Sequence, residues 1–142
     1  MEMAKKFSIV VVAVFIVCTT LFASHYVRQS ALKKNLLAAD EFLDIYNYLL
    51  DKEFYTAKID GSTLVLRDRN MNTLAEYNLP HKMKSKLLYI ENRDTNMIFW
   101  TAGSDDLEGI MFMKSEWTDE AWDGLERINR LNGNAYKVYT FN

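Results

Sequence analysis

A chain of 142 residues, 49% hydrophobic and 25% charged, is long enough for one domain with an appended segment and too apolar for disorder. Its net charge of −2, with both signs interspersed, excludes the continuous basic track that a phosphate backbone demands, so no nucleic-acid partner is expected. A single cysteine, Cys18, excludes an intramolecular disulfide.

The chain opens with a short tail, MEMAKK (residues 1–6), followed by FSIVVVAVFIVCTTLFA. Phe7 to Ala23 is a run of 17 residues without a charge, and it extends to Val27 if Ser24, His25 and Tyr26 are included. As a helix this run is about 25–31 Å long, the thickness of a hydrocarbon core of about 30 Å. Lys5 and Lys6 can snorkel at one end, while Tyr26 and Arg28 suit the other interface. A transmembrane helix over 7–27 is therefore expected, with membrane lipid as its partner. A cleaved signal peptide is the alternative, although cutting after Ala23 would put bulky Leu21 at the −3 position. Phe15, Ile16 and Val17 before Cys18 do not make a lipobox, and Cys18 reads as a small apolar residue within the membrane. The flanking charges nearly balance, with Lys5, Lys6 and the α-amine against Arg28, Lys33 and Lys34. A short basic tail before a first apolar helix resembles a signal anchor. That points to a single-pass protein of the cell membrane with residues 54–142 extracytoplasmic.

From Arg28 to Glu53 the periodicity stays helical. Leu32, Leu36, Ala39, Leu43, Tyr46 and Leu50 recur in steps of four and three, widened by Ala38, Phe42, Ile45 and Leu49. No Pro or Gly separates this amphipathic helix or stalk (28–53) from the apolar run, so one helix from about residue 5 to 53 is expected. The stripe has coiled-coil spacing over fewer than three heptads, and packing on the domain's own sheet is the preferred reading.

Residues 54–142 read as a soluble α+β domain. YTAKID and STLVLRD flank the turn dipeptide Asp60-Gly61, TLAEYNL ends at Asn78-Leu79-Pro80, and KLLYIEN follows. MIFWTAG and GIMFMKS are apolar on both alternating faces, which predicts central strands covered on both sides. SEWTDEAWDGLERINRL, from Ser115 to Leu131, has a helical stripe of Trp117, Ala121, Leu125 and Ile128. Ser115 or Thr118 can cap it, and Asn132-Gly133 can stop it. AYKVYTF makes a last strand. The expected fold is α+β: a transmembrane helix continuing into an amphipathic helix, then a mainly antiparallel sheet with one C-terminal helix and a final strand.

Chemistry-bearing patterns are few. In TAGSDDLEG (101–109), Asp105, Asp106 and Glu108 are candidate ligands for a hard cation such as calcium, alone or with the two aspartates in a metal-assisted enzyme. The spacing lacks the order of an EF-hand loop, and a hairpin loop from Ser104 to Glu108 bounded by Gly103 and Gly109 is the plainer reading. His25 and His81 stand in no zinc-binding pattern, no serine lies in a Gly-x-Ser-x-Gly elbow, and no phosphate- or dinucleotide-binding glycine motif occurs. No catalytic residue, no cofactor-binding residue and no cofactor are expected. The aromatics Tyr46, Tyr48, Phe54, Tyr55, Phe99, Trp100, Trp117, Trp122, Tyr136 and Tyr139 serve as core or as a partner surface on the sheet or helix.

These readings converge on a membrane-anchored small domain of non-enzymatic interaction or sensory type. The layout, a long half-apolar helix leading into an antiparallel sheet, is similar to that of type IV pilins and pseudopilins. That resemblance implies a structural subunit, but the apolar run from Phe7 holds no Glu and no Gly precedes it, where a prepilin has both. A secreted domain released by cleavage is a further alternative.

Overall fold

The computed structural model describes residues 2–79, 86–102 and 107–140, of which 2–10 and 102 are described by their backbone alone. A single helix, α1 (Glu2–Leu49), is followed by eight strands: β1 (Thr56–Asp60), β2 (Thr63–Arg67), β3 (Thr73–Asn78), β4 (Leu87–Asn92), β5 (Asn96–Ala102), β6 (Leu107–Met113), β7 (Arg127–Asn132) and β8 (Ala135–Thr140). They form one sheet in the order β3-β2-β1-β4-β5-β6-β8-β7, with every pairing antiparallel. The chain divides into two compact units, Met1–Lys34 and Asn35–Asn142. The last turns of α1 thus fold with the sheet.

The first unit is helix alone. Its apolar side chains from Val11 to Val27 are exposed whichever way they point, Phe15 and Phe22 included. This apolar helix, long enough to cross a membrane, is a candidate membrane span or signal anchor.

In the second unit α1 becomes one-sided. Ala39, Phe42, Tyr46 and Leu49 are buried, at steps of three and four. The stripe is rotated from the one the sequence suggests, since Leu32, Leu43 and Leu50 stay exposed. Phe42 stacks on Phe99 of β5 with centroids 5.1 Å apart, Tyr46 stacks on Phe112 of β6 at 4.9 Å, and Phe99 meets Phe112 edge-on at 5.4 Å. Burial raises the pKa of the Tyr46 phenol, which stays protonated and donates to the Met113 carbonyl at 3.0 Å.

β5 and β6 lie in the middle of the sheet and are buried on both faces, as their double apolarity predicts. Met97, Phe99, Ile110 and Phe112 face α1. Ile98, Trp100, Met111 and Met113 face the opposite way, where Ala121, Leu125 and Ile128 close over them. Gly109 stands across from Trp100, and a Cβ there would sit 3.0 Å from the indole and from Ile98 Cγ2. It is in the strand to give Trp100 room, not to bend a loop.

The expected helix from Ser115 to Leu131 is not formed. One 3₁₀ turn, Asp119–Trp122, is all the helix in that stretch, and Arg127–Asn132 is strand β7. Gly124 takes φ +71°, a conformation no helix interior allows. Thr118 precedes the turn without a side-chain cap hydrogen bond. Beyond it, pairing with β8 satisfies a row of backbone groups that a helix would leave open at the sheet edge. Ile128 packs on one face of the sheet and Leu131, three residues on, on the other, as strand alternation requires and a helical stripe does not. Asn132-Gly133 is the hairpin turn into β8, with Asn132 paired to Ala135.

The exposed and buried apolar residues of α1 separate sharply in their expected contributions. Phe42→Ala should lower stability by about 3–5 kcal/mol, while Leu43→Ala, on the open side, should change it by less than about 0.5 kcal/mol. Urea unfolding of the two variants checks both figures.

Candidate functional site

Of the candidate cation ligands, Asp105 and Asp106 lie outside the described residues, as do Gly103 and Ser104. Glu108 is not in a loop, because Ala102 already pairs with Leu107, and it belongs to β6. Its carboxylate meets Lys137 Nζ at 2.7 Å. Lys137 is itself 5% exposed, so the pair neutralises an ammonium that would otherwise be buried alone. Among the described residues no three His, Cys, Asp or Glu side chains group as a metal site. His81 also lies outside the described residues, and His25 is an exposed residue of α1.

Two concavities stand out among the described residues of the second unit. The first, about 410 Å³, is a charged groove where connections meet at one end of the sheet. Glu53, Asp68 and Asp94 supply its acids, and Arg69, Arg93 and Lys114 its bases. Three of these six ions, Asp68, Arg93 and Lys114, hold the fold itself. The Asp68 carboxylate accepts from Asn72 N at 2.8 Å, Asn70 N at 2.9 Å and Asn72 Nδ2 at 3.0 Å. Those bonds close a turn in which Met71 adopts φ +65°, a left-handed conformation unfavourable to a side chain. Arg93 donates to Glu91 at 2.8 Å and to the Asp123 carbonyl at 2.5 Å, while Trp100 Nε1 donates to the other Glu91 oxygen at 2.9 Å. Lys114 donates to the Arg93 carbonyl, and burial lowers its pKa against the opposing pull of Asp94. The groove works mainly as a clasp tying the turns to the segment that covers the second face.

The second concavity, about 290 Å³, is apolar and more closed. α1 contributes Asp44, Ile45 and Tyr48; the β2–β3 hairpin and its exit contribute Leu64, Tyr77, Asn78 and Leu79. Tyr48 and Tyr77 pack edge to face with centroids 5.1 Å apart. Desolvation first, and the neighbouring Tyr77 hydroxyl second, raise the pKa of Tyr48. Leu64 is fully buried at the base, and Thr63 Oγ1 donates to Asn78 Oδ1 at 3.2 Å. An apolar cavity with few converging polar groups is the usual form of a small-molecule site.

Sequence reasoning placed Tyr48 among aromatics of open role, and Asp44 stands four residues before it on α1. The spacing of four that sets both on one helix face was legible. Nothing local signals that Tyr77 and Leu79 come to meet them.

The second face carries a third feature. Trp117 lies 5.0 Å from Tyr136 and 6.1 Å from Trp122, centroid to centroid, and both tryptophans are partly exposed. The rest of the aromatic set divides, with Tyr46, Phe54, Phe99 and Trp100 in the core and Tyr48 and Tyr55 at the surface. Comparison with family models, with curated proteins and with solved structures gave no match.

The Asp68 turn carries a pH signature. Hydrogen bonding from the Asn72 side chain, then from the backbone, lowers the Asp68 pKa below its ordinary 3.8. A depressed folded-state pKa contributes stability that is complete above the unfolded value and is lost as pH falls through the folded one. Asp68→Ala should therefore lower the urea midpoint at neutral pH, and the difference from the unsubstituted chain should shrink as pH drops below 3.8. A difference that persists unchanged in acid would remove Asp68 ionisation from the account.

Proposed function

We propose that the chain is a single-pass, membrane-anchored small domain of non-enzymatic interaction or sensory type. The observation that carries the anchor is the all-round exposure of the apolar side chains of α1 from Val11 to Val27, an arrangement stable in hydrocarbon and unfavourable in water. The polar residues in that stretch support it. Thr19 Oγ1 donates to the Phe15 and Ile16 carbonyls, Thr20 Oγ1 to those of Ile16 and Val17, and Ser24 Oγ to that of Leu21, all at 2.9–3.0 Å. Back-bonded hydroxyls bring no unsatisfied donor into lipid. The basic tail with Lys5 and Lys6 favours a cytoplasmic N-terminus and an extracytoplasmic domain.

The non-enzymatic part of the reading rests on what the charged side chains hold. Asp68, Glu91, Arg93, Glu108, Lys114 and Lys137 each engage the protein's own groups. What stays open is an apolar pocket and a pair of partly exposed tryptophans, features suited to binding.

Two measurements test this. The full-length chain should resist extraction from membranes by alkaline carbonate. Val14→Arg combined with Val17→Arg should abolish that resistance, since an arginine in mid-membrane costs about 2.5–3.5 kcal/mol even on the most lenient scale. Protease added to intact cells should digest residues 54–142. A wild-type chain that is washed from the membrane, or protection of those residues until the cells are lysed, would contradict the anchor or its orientation respectively.

A further inference from the structure

We propose that the pocket between the final turns of α1 and the β2–β3 hairpin binds a small organic ammonium ion of the aryl-alkylamine class. The inference rests on the interaction-or-sensory reading above, for which it names a ligand, and it is independent of the membrane anchor.

The charge of the lining favours a cation. Asp44 is its one ionisable carboxylate, and no Lys or Arg lines the pocket among the described residues. Asp44 makes no hydrogen bond or ion pair among those residues, whereas Glu91 and Glu108 are each engaged. An anion would meet uncompensated repulsion here. A hard metal ion would find one carboxylate where it wants six or more oxygens. A cation with an apolar body matches both halves of the lining.

The aromatic groups strengthen that match. Tyr48 and Tyr77 line the pocket, an aromatic ring attracts a cation through its quadrupole, and the Tyr48 ring already draws Lys52 Nζ of the same chain to 5.5 Å from its centroid. Ile45, Leu64 and Leu79 supply the apolar wall. At about 290 Å³ the space lies at the small end of ligand pockets, which run from ~300 to 1,000 Å³. That admits one ring with a short chain and excludes a nucleotide or a peptide. Asp44 and Tyr48 are four residues apart on one helix, so the carboxylate and the first ring are held in register by the backbone.

The test is calorimetric titration of the full chain in detergent micelles with phenethylamine, and with phenethyl alcohol as its neutral match. The amine should bind saturably and about tenfold or more tighter than the alcohol, the scale of a charge-assisted bond. Asp44→Asn, at an exposed helix position where the fold does not need the charge, should erase that preference while leaving the alcohol's affinity in place. Tyr48→Leu should weaken the amine about two- to fivefold. Ile45→Trp, which fills the cavity, should abolish binding of both ligands, with circular dichroism confirming that the variant is folded. No saturable binding of the amine would overturn the proposal. So would equal affinity for amine and alcohol, or a preference that survives Asp44→Asn. None of these outcomes bears on carbonate resistance, so this inference and the anchor fail separately.

Discussion

The stacking of two helix aromatics on two strand aromatics organises everything else in the folded unit. Phe42 on Phe99 and Tyr46 on Phe112, joined by the edge contact of Phe99 with Phe112, set both the azimuth of α1 and its position over the central strands. Stacked rings tolerate little sliding, and the Tyr46 hydroxyl fixes the helix further by donating to the Met113 carbonyl at the end of β6. The rotation of the buried stripe follows directly. Once Phe42 and Tyr46 are committed to the sheet, Leu43 and Leu50 must point elsewhere. Side-chain volume and flatness won over a count of apolar positions.

The opposite face obeys a different constraint. Among the described residues no α-helix covers it, and a short segment holding the 3₁₀ turn closes it through Ala121 and Leu125, with Ile128 of the following strand. An irregular cover has to satisfy its backbone groups one at a time. This explains why so many ions are committed to holding loops: Arg93 reaches the Asp123 carbonyl, and Glu91 positions Arg93 while accepting from Trp100. The charged groove is a by-product of that fastening, with its acids and bases facing the chain's own turns.

What could be read in advance depended on whether the cause was local. Strand alternation in MIFWTAG and GIMFMKS announced a centre buried on both faces, because the period-two pattern is intrinsic to the backbone. The Asp60-Gly61 turn was legible for the same reason, and Asp60 pairs with Thr63 across it. Ser115 to Leu131 misled because Ala121, Leu125 and Ile128 do converge on one cluster, but along a turning path that imitates helical spacing. The deciding influence there was the unpaired edge of β8, a partner distant enough that no window of sequence contains it. Glu108 was misplaced by one structural step, since its Gly neighbour suggested a loop and in fact makes space for Trp100. The pocket was half legible: Asp44 and Tyr48 share a helix face, but Tyr77 and Leu79 reach them through the tertiary fold.

Geometry also explains why a pocket lies where it does. Eight strands spaced about 4.8 Å apart span roughly 34 Å from edge to edge. Residues 35–49 of α1 form a rod about 22 Å long and about 10 Å wide. Such a rod cannot cover the whole first face in any orientation, so both flanks need another solution. Toward β7 and β8 the gap is closed by charge and ring: Glu108 pairs with buried Lys137 at 2.7 Å, and the Arg127 guanidinium lies 4.1 Å from the Tyr139 centroid. Toward β2 and β3 no ion pair fills the gap among the described residues. The edge contact of Tyr48 with Tyr77 bridges helix and hairpin, and a cavity remains beside it above Leu64. The sheet is wider than its helix: one margin is sealed by an ion pair, and at the other a carboxylate without an ion-pair partner among the described residues lies beside two rings.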